Sequence, residues 1–164
     1  MTEASVNLEL LSAYVPGEGR EQLPLTELNE DEPHIHGELR WTLAGRQVPA
    51  MGFWGPDDVC LGEWWDGLNA TLPELAAGES YTLDSCEQGS PAFLFERRGE
   101  SVLLSIVAGM GGGNPNPDWQ QVTFAWDDWV QEVRAFKRRL REWVETKGPR
   151  ELPAEWKARF SELV

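Results

Sequence analysis

Residues 126–147 read WDDWVQEVRAFKRRLREWVETK. Apolar side chains fall at Trp126, Trp129, Val130, Val133, Phe136, Leu140, Trp143 and Val144. Steps of three and four put them on one stripe of a helix and leave the charges on the rest. Asp127 and Asp128 stand in the first turn, where the helix dipole favours negative charge; Arg138, Arg139 and Arg141 lie towards the end that favours positive charge. Gly148-Pro149 stops the helix. A helix of roughly six turns with so much aromatic surface on one side needs a broad apolar partner, and the chain before it reads as a sheet.

Trp119–Ala125 alternates, with Val122 and Phe124 inward, and runs straight into the helix. Before it, GMGGGNPNPD at 109–118 reads as a flexible connection. Ser101–Ala108 is apolar at nearly every position, the mark of a central strand covered on both faces. Arg98-Gly99 and Glu87-Gln88-Gly89-Ser90 are turns that make a meander of Ser80–Ser85, Pro91–Arg97 and the central strand. Leu61, Trp64, Trp65 and Leu68 have helical spacing, so a short helix is expected near 58–69, capped from Gly55-Pro56-Asp57-Asp58, with another helical turn after Pro73. Further out, Glu38–Ala44 alternates as a strand and Gln47–Trp54 returns as its hairpin partner. Residues 4–15 form a first strand whose inward parity switches midway, and 21–37 is an acidic surface loop. Beyond Gly148-Pro149, Pro153 opens a final short helix with Trp156, Phe160 and Leu163 on one side.

The expected fold is therefore α+β in a single domain, 1–164: an antiparallel twisted sheet of about six to seven strands packed by the long C-terminal helix. The 58–69 helix is expected near an edge or on the other face. No apolar run approaches the roughly 20 residues of a membrane span, and MTEASVNLEL carries no signal-peptide pattern. Two cysteines, Cys60 and Cys86, suit a reducing compartment, so a cytoplasmic location is expected.

Charge is unevenly spread. Residues 1–130 carry 22 acids against 5 bases, a charge of −17; residues 131–164 carry 6 against 9, a charge of +3. An acidic body repels phosphates and anionic lipid, which argues against nucleic-acid and membrane partners and for a protein partner with a basic surface.

Catalytic patterns are thin. Neither cysteine sits in a nucleophile motif, there is no GxSxG elbow, and Met110–Asn114 lacks the lysine of a phosphate loop. His34 and His36, two apart, would face one way in an extended segment and suggest an alternative, a metal-dependent enzyme or metal-binding protein using nearby carboxylates. No cofactor is implied. Nine tryptophans are many for 164 residues. Those on helical stripes are expected in the core, whereas Trp54, Trp64, Trp65 and Trp119 lie near turns or helix starts. Trp54, Asp57, Asp58, Glu63, Trp64 and Asp66 combine exposed-type aromatics with acids and are the expected binding patch.

From Leu61 onward the order of features resembles small immunity proteins of bacterial polymorphic-toxin systems. The likeness covers residues 58–147: the EWWDGL helix, the strand YTLDS, the turn EQGSP, the pair FLFERRGESVLLSIV, and a strand entering WDDWVQEVRAFKRRLREWV. It implies an acidic α+β protein without enzymatic activity that neutralises one cognate toxin by occluding a basic surface.

Overall fold

The computed structural model describes residues 6–162. Its elements in chain order are β1 (Val6–Leu10), β2 (Val15–Pro16), β3 (Gln22–Leu23), β4 (His36–Gly37), β5 (Leu39–Leu43), β6 (Arg46–Gln47) and β7 (Val59–Cys60). There follow α1 (Leu61–Ala76), β8 (Tyr81–Leu83), β9 (Ala92–Arg98), β10 (Ser101–Val107), β11 (Val122–Ala125), α2 (Trp126–Lys147) and α3 (Ala154–Phe160). Every strand pairing among them is antiparallel. The fold is α+β, but the single large sheet expected from sequence is divided. Among the described residues there are a four-stranded sheet ordered β11-β10-β9-β8, a three-stranded sheet β1-β5-β6, and two small ladders, β2-β3 and β4-β7.

The division has a local cause. The hairpin return from β5 lasts only through Gln47; one further bond, Val48 N–H to Trp41 O at 2.8 Å, ends it before Pro49, which has no N–H to donate. Gly52 then lies so close to the Gly55 carbonyl that a side chain there would collide with it, and the chain turns out into a loop. The first strand also ends early, at Leu10, where the inward parity switches. Residues 4 and 5 of that reading, and Leu163 of the final helix, lie outside the described residues.

β10 is the covered central strand its composition implied, buried from Val102 through Ile106. The inner face of its sheet presents Phe93 and Phe95 from β9, Leu104 and Ile106 from β10, and Phe124 from β11. Trp129 of α2 lies 5.2 Å from Phe95 and 5.4 Å from Phe124; Trp64 of α1 lies 5.3 Å from Phe93. Both helices therefore meet the same face, α1 towards the edge strand β8; of the two placements expected for that helix, it takes the one near an edge and not the one on the other face. The expected break before Pro73 is also absent. α1 runs through that proline to Ala76, which costs one backbone hydrogen bond in its last turn. Trp41 of β5 inserts from the other sheet, stacked 5.7 Å from Phe95 and 5.4 Å from Trp129. Six aromatic side chains from two sheets and two helices thus close one core.

On α2 the buried stripe is Trp129, Val133, Phe136, Lys137, Leu140 and Val144. Trp126 and Trp143, read from sequence as inner, are half-buried at its margins, beside Arg97 and Lys147 respectively. α2 is not the last element: α3 folds back with Trp156 buried, its indole N–H on Pro33 O at 2.7 Å. α2 also lies along the outer edge of β1. There Glu132 Oε2 accepts the Leu8 N–H at 3.2 Å, Arg139 Nη1 donates to Leu8 O at 3.0 Å, and the two side chains pair at 3.1 Å.

Candidate functional site

The short ladders position a cavity of about 480 Å³. Tyr14 bridges to His36, and His36 pairs with Cys60 across β4 and β7. Directly paired residues of antiparallel strands share a face, so Tyr14, His36 and Cys60 form one row, and all three line the cavity. Asp58, two residues before Cys60, joins the same side. Gly37, next to His36, leaves room for the Ser12 carbonyl, which any side chain would strike; this allows the 12–14 segment to close on β4.

Asp58 is the hub of the wall. Its Oδ1 meets His36 Nδ1 at 2.6 Å. A carboxylate only accepts, so Nδ1 carries the proton. Its Oδ2 accepts the Trp54 N–H at 3.2 Å, and its backbone closes the 53–58 loop through Phe53 and Gly55. Asp57 is held by Tyr14, whose hydroxyl donates to the Asp57 carbonyl at 2.8 Å, and by Gln22, whose amide donates to Asp57 Oδ2 at 2.9 Å. Burial first, then the charges of Asp58 and Asp57, pushes the Tyr14 phenol up to about 12, so it remains a neutral donor.

The opposite wall comes from the 84–91 turn, with Ser85, Glu87, Ser90 and Pro91. The glycine loop expected to be a flexible connection is laced to this turn. Gly109, Gly111 and Gly113 approach the backbone of Ser90, Glu87 and Ser90 more closely than any Cβ would allow. Met110 N–H donates to Asp84 Oδ2 at 2.8 Å, and Gly89 N–H to Gly111 O at 2.9 Å. Met110 itself is 87% exposed.

Of the six residues expected in the patch, Trp54, Asp57, Asp58, Glu63 and Trp64 line this cavity, and Asp66 does not. Asp66 is clamped by Arg159, with both carboxylate oxygens 3.0 Å from guanidinium nitrogens, and fastens α3 to α1. Trp64 is 4% exposed: it is a floor of the cavity packed against Trp41 and Phe93, not a projecting anchor. Trp65 and Trp119 are buried as well, and Trp54 is 66% exposed.

Four carboxylates line the cavity, those of Asp57, Asp58, Glu63 and Glu87, against one guanidinium, Arg20. Glu63 and Glu87 have no ion-pair partner among the described residues. Crowding over the Glu63 carboxyl raises it above the ordinary carboxylate range, Glu87 and Asp66 add to the rise, and His36 and His34 oppose it. Cys60 is half-buried; burial pushes its thiol up, against the pull of the Glu63 and Gly62 N–H groups at the start of α1. His34 is exposed and does not line the cavity, and among the described residues no three His, Cys, Asp or Glu side chains gather as a metal-holding group.

Sequence reading missed Tyr14, Arg20, Cys60 and Glu87. Tyr14 and Cys60 are joined through His36 by an isolated bridge and a two-residue ladder, too short for alternation to register, and Arg20 comes from the tight turn at 17–21. No protein-family model matches the chain, and neither curated proteins nor solved structures give a match. No helix among the described residues is long and apolar enough to cross a membrane.

Proposed function

We propose that this chain is an acidic binding protein of the immunity type, which uses the Trp54 cavity to take a basic side chain from a partner protein and cover that partner's basic surface. The observation that carries the reading is the coincidence of two features at one mouth. Phe53, Trp54 and Met110 are the large hydrophobics standing exposed among the described residues. Phe53 and Trp54 line the cavity, and Met110 sits on the loop pinned to its 84–87 wall. Apolar rim and unneutralised carboxylates together suit a cationic residue surrounded by apolar contact surface. The −17 charge of residues 1–130 adds long-range attraction for such a partner. The reading places the protein in the cytoplasm, with the toxin domain encoded beside it as the partner.

Growth of a cell expressing that toxin domain is the test. The wild-type chain should restore growth and bind the purified domain with association that slows as salt rises. Trp54→Ala, exposed and therefore tolerated by the fold, should speed dissociation by about tenfold or more. Failure of the wild-type chain to rescue growth or bind would overturn the immunity reading. The alternative, a metal-dependent protein, requires stoichiometric zinc, nickel or manganese in the purified chain that is lost on His34→Ala.

A further inference from the structure

We propose that the Trp54 ring is a seat for a planar guanidinium, that the cavity selects an arginine side chain over a lysine, and that Arg20 occupies this seat in the free chain as an internal competitor. The inference rests on the binding reading and names the residue the cavity takes. The guanidinium carbon of Arg20 lies 3.9 Å from the centre of the Trp54 ring. Phe53 stacks on Trp54 at 4.9 Å and 17° between planes. Two groups cannot share one face at these separations, so Phe53 backs the ring and leaves the other face to the cation. Asp58 fixes the ring's backbone through the Trp54 N–H.

Arg20 has chosen the ring rather than an acid. It makes no ion pair with a carboxylate among the described residues, although four line the same cavity. Its backbone stands at φ 64°, a left-handed conformation that a side-chain-bearing residue adopts at a cost. The turn that imposes it is closed by Gly17 N–H to Glu21 O at 2.9 Å and Arg20 N–H to Gly17 O at 3.1 Å. That turn, rather than glycine at position 20, delivers a guanidinium to the ring. A flat, delocalised cation stacks on an indole; a lysine ammonium matches it less well. An incoming arginine would displace Arg20 and still find Glu63 and Glu87 without cations of their own.

The exchange predicts an apparent affinity lowered by the fraction of time Arg20 holds the ring. A capped arginine peptide and its lysine counterpart, titrated while the amide signals of residues 52–58 are followed by NMR, provide the measurement. The arginine peptide should bind more tightly than the lysine peptide. Arg20→Ala and Arg20→Lys should each tighten the arginine peptide by about three- to sixfold. Trp54→Ala should abolish both the preference and the effect of the Arg20 substitutions. Tightening by Arg20→Ala but not by Arg20→Lys would mean simple charge repulsion and overturn the seat, as would equal binding of the two peptides. No shift with either peptide in any variant would overturn the binding reading along with it.

Discussion

Trp129 and Trp41 are both fully enclosed and touch each other, yet their indole N–H groups fare differently. Trp129 Nε1 donates to Thr71 Oγ1 at 2.9 Å, and that hydroxyl donates on to Leu68 O at 2.6 Å. Trp41 Nε1 has no protein acceptor among the described residues. Replacement by phenylalanine removes similar volume at each position but a hydrogen bond only at the first. Trp129→Phe should therefore cost about 1 kcal/mol more than Trp41→Phe in urea unfolding, and equal losses would show that the Thr71 bond contributes nothing. Glu63 gives a pH-dependent counterpart. Its folded pKa lies above its unfolded value, so its favourable contribution is full below the unfolded pKa and lost as pH rises through the folded one. Glu63→Gln should thus stabilise the chain at neutral pH and not at a pH below the carboxylate range. Because Glu63 is exposed and screened by solvent, the gain stays within about 0.5 kcal/mol. Thermal melts at the two pH values check this; an equal gain at both would sink it.

Between elements, the least expected contact is Lys137. It sits on the buried stripe of α2 with its residue 2% exposed, and its Nζ donates to Asn69 Oδ1 of α1 at 2.6 Å. Asn69 passes the contact on to Glu162 Oε2 at 2.8 Å, which ties the end of the described chain to both helices. The ammonium is enclosed over the Trp65 ring, 5.1 Å from its centre, and lies 3.8 Å from a Glu162 that is partly in solvent. Burial holds the ammonium below the ordinary lysine range. Its charged form is disfavoured in the fold, and that penalty is relieved as pH rises towards the unfolded value. Lys137→Met keeps the stem and discards the charge, and should change stability by less than about 1.5 kcal/mol. Lys137→Ala, which leaves the stem's space unfilled, should cost about 2–3 kcal/mol in denaturant melts. The helix itself was legible because its apolar steps persist from Trp126 to Val144; Lys137 was not, because periodicity assigns a charged residue to the solvent side. Pro73 was misread for a related reason: a helix-breaking residue tolerated in a last turn is supported by packing that local sequence does not reveal.

For the whole molecule, the four-stranded sheet was readable where strands were long and turns short, as at Arg98-Gly99. Its separation from the β1-β5-β6 sheet was not, because the boundary depends on where Pro49 and Gly52 end a hairpin. Of the cavity lining, Trp54, Asp57, Asp58, Glu63 and Trp64 were anticipated, neighbours in sequence. Others, among them Tyr14, Arg20, His36 and Glu87, arrive from distant segments, and no pattern within a short window brings such residues together. The rim of β1 carries a consequence of its own. An unpaired strand edge is a template on which another chain can lay down a strand, and repetition of that event builds polymers. Here the outward amide and carbonyl of Leu8 are already taken by Glu132 and Arg139, which are paired with one another. The long helix therefore does more than cover a core: it blocks the sheet at Leu8 against growth by a second copy.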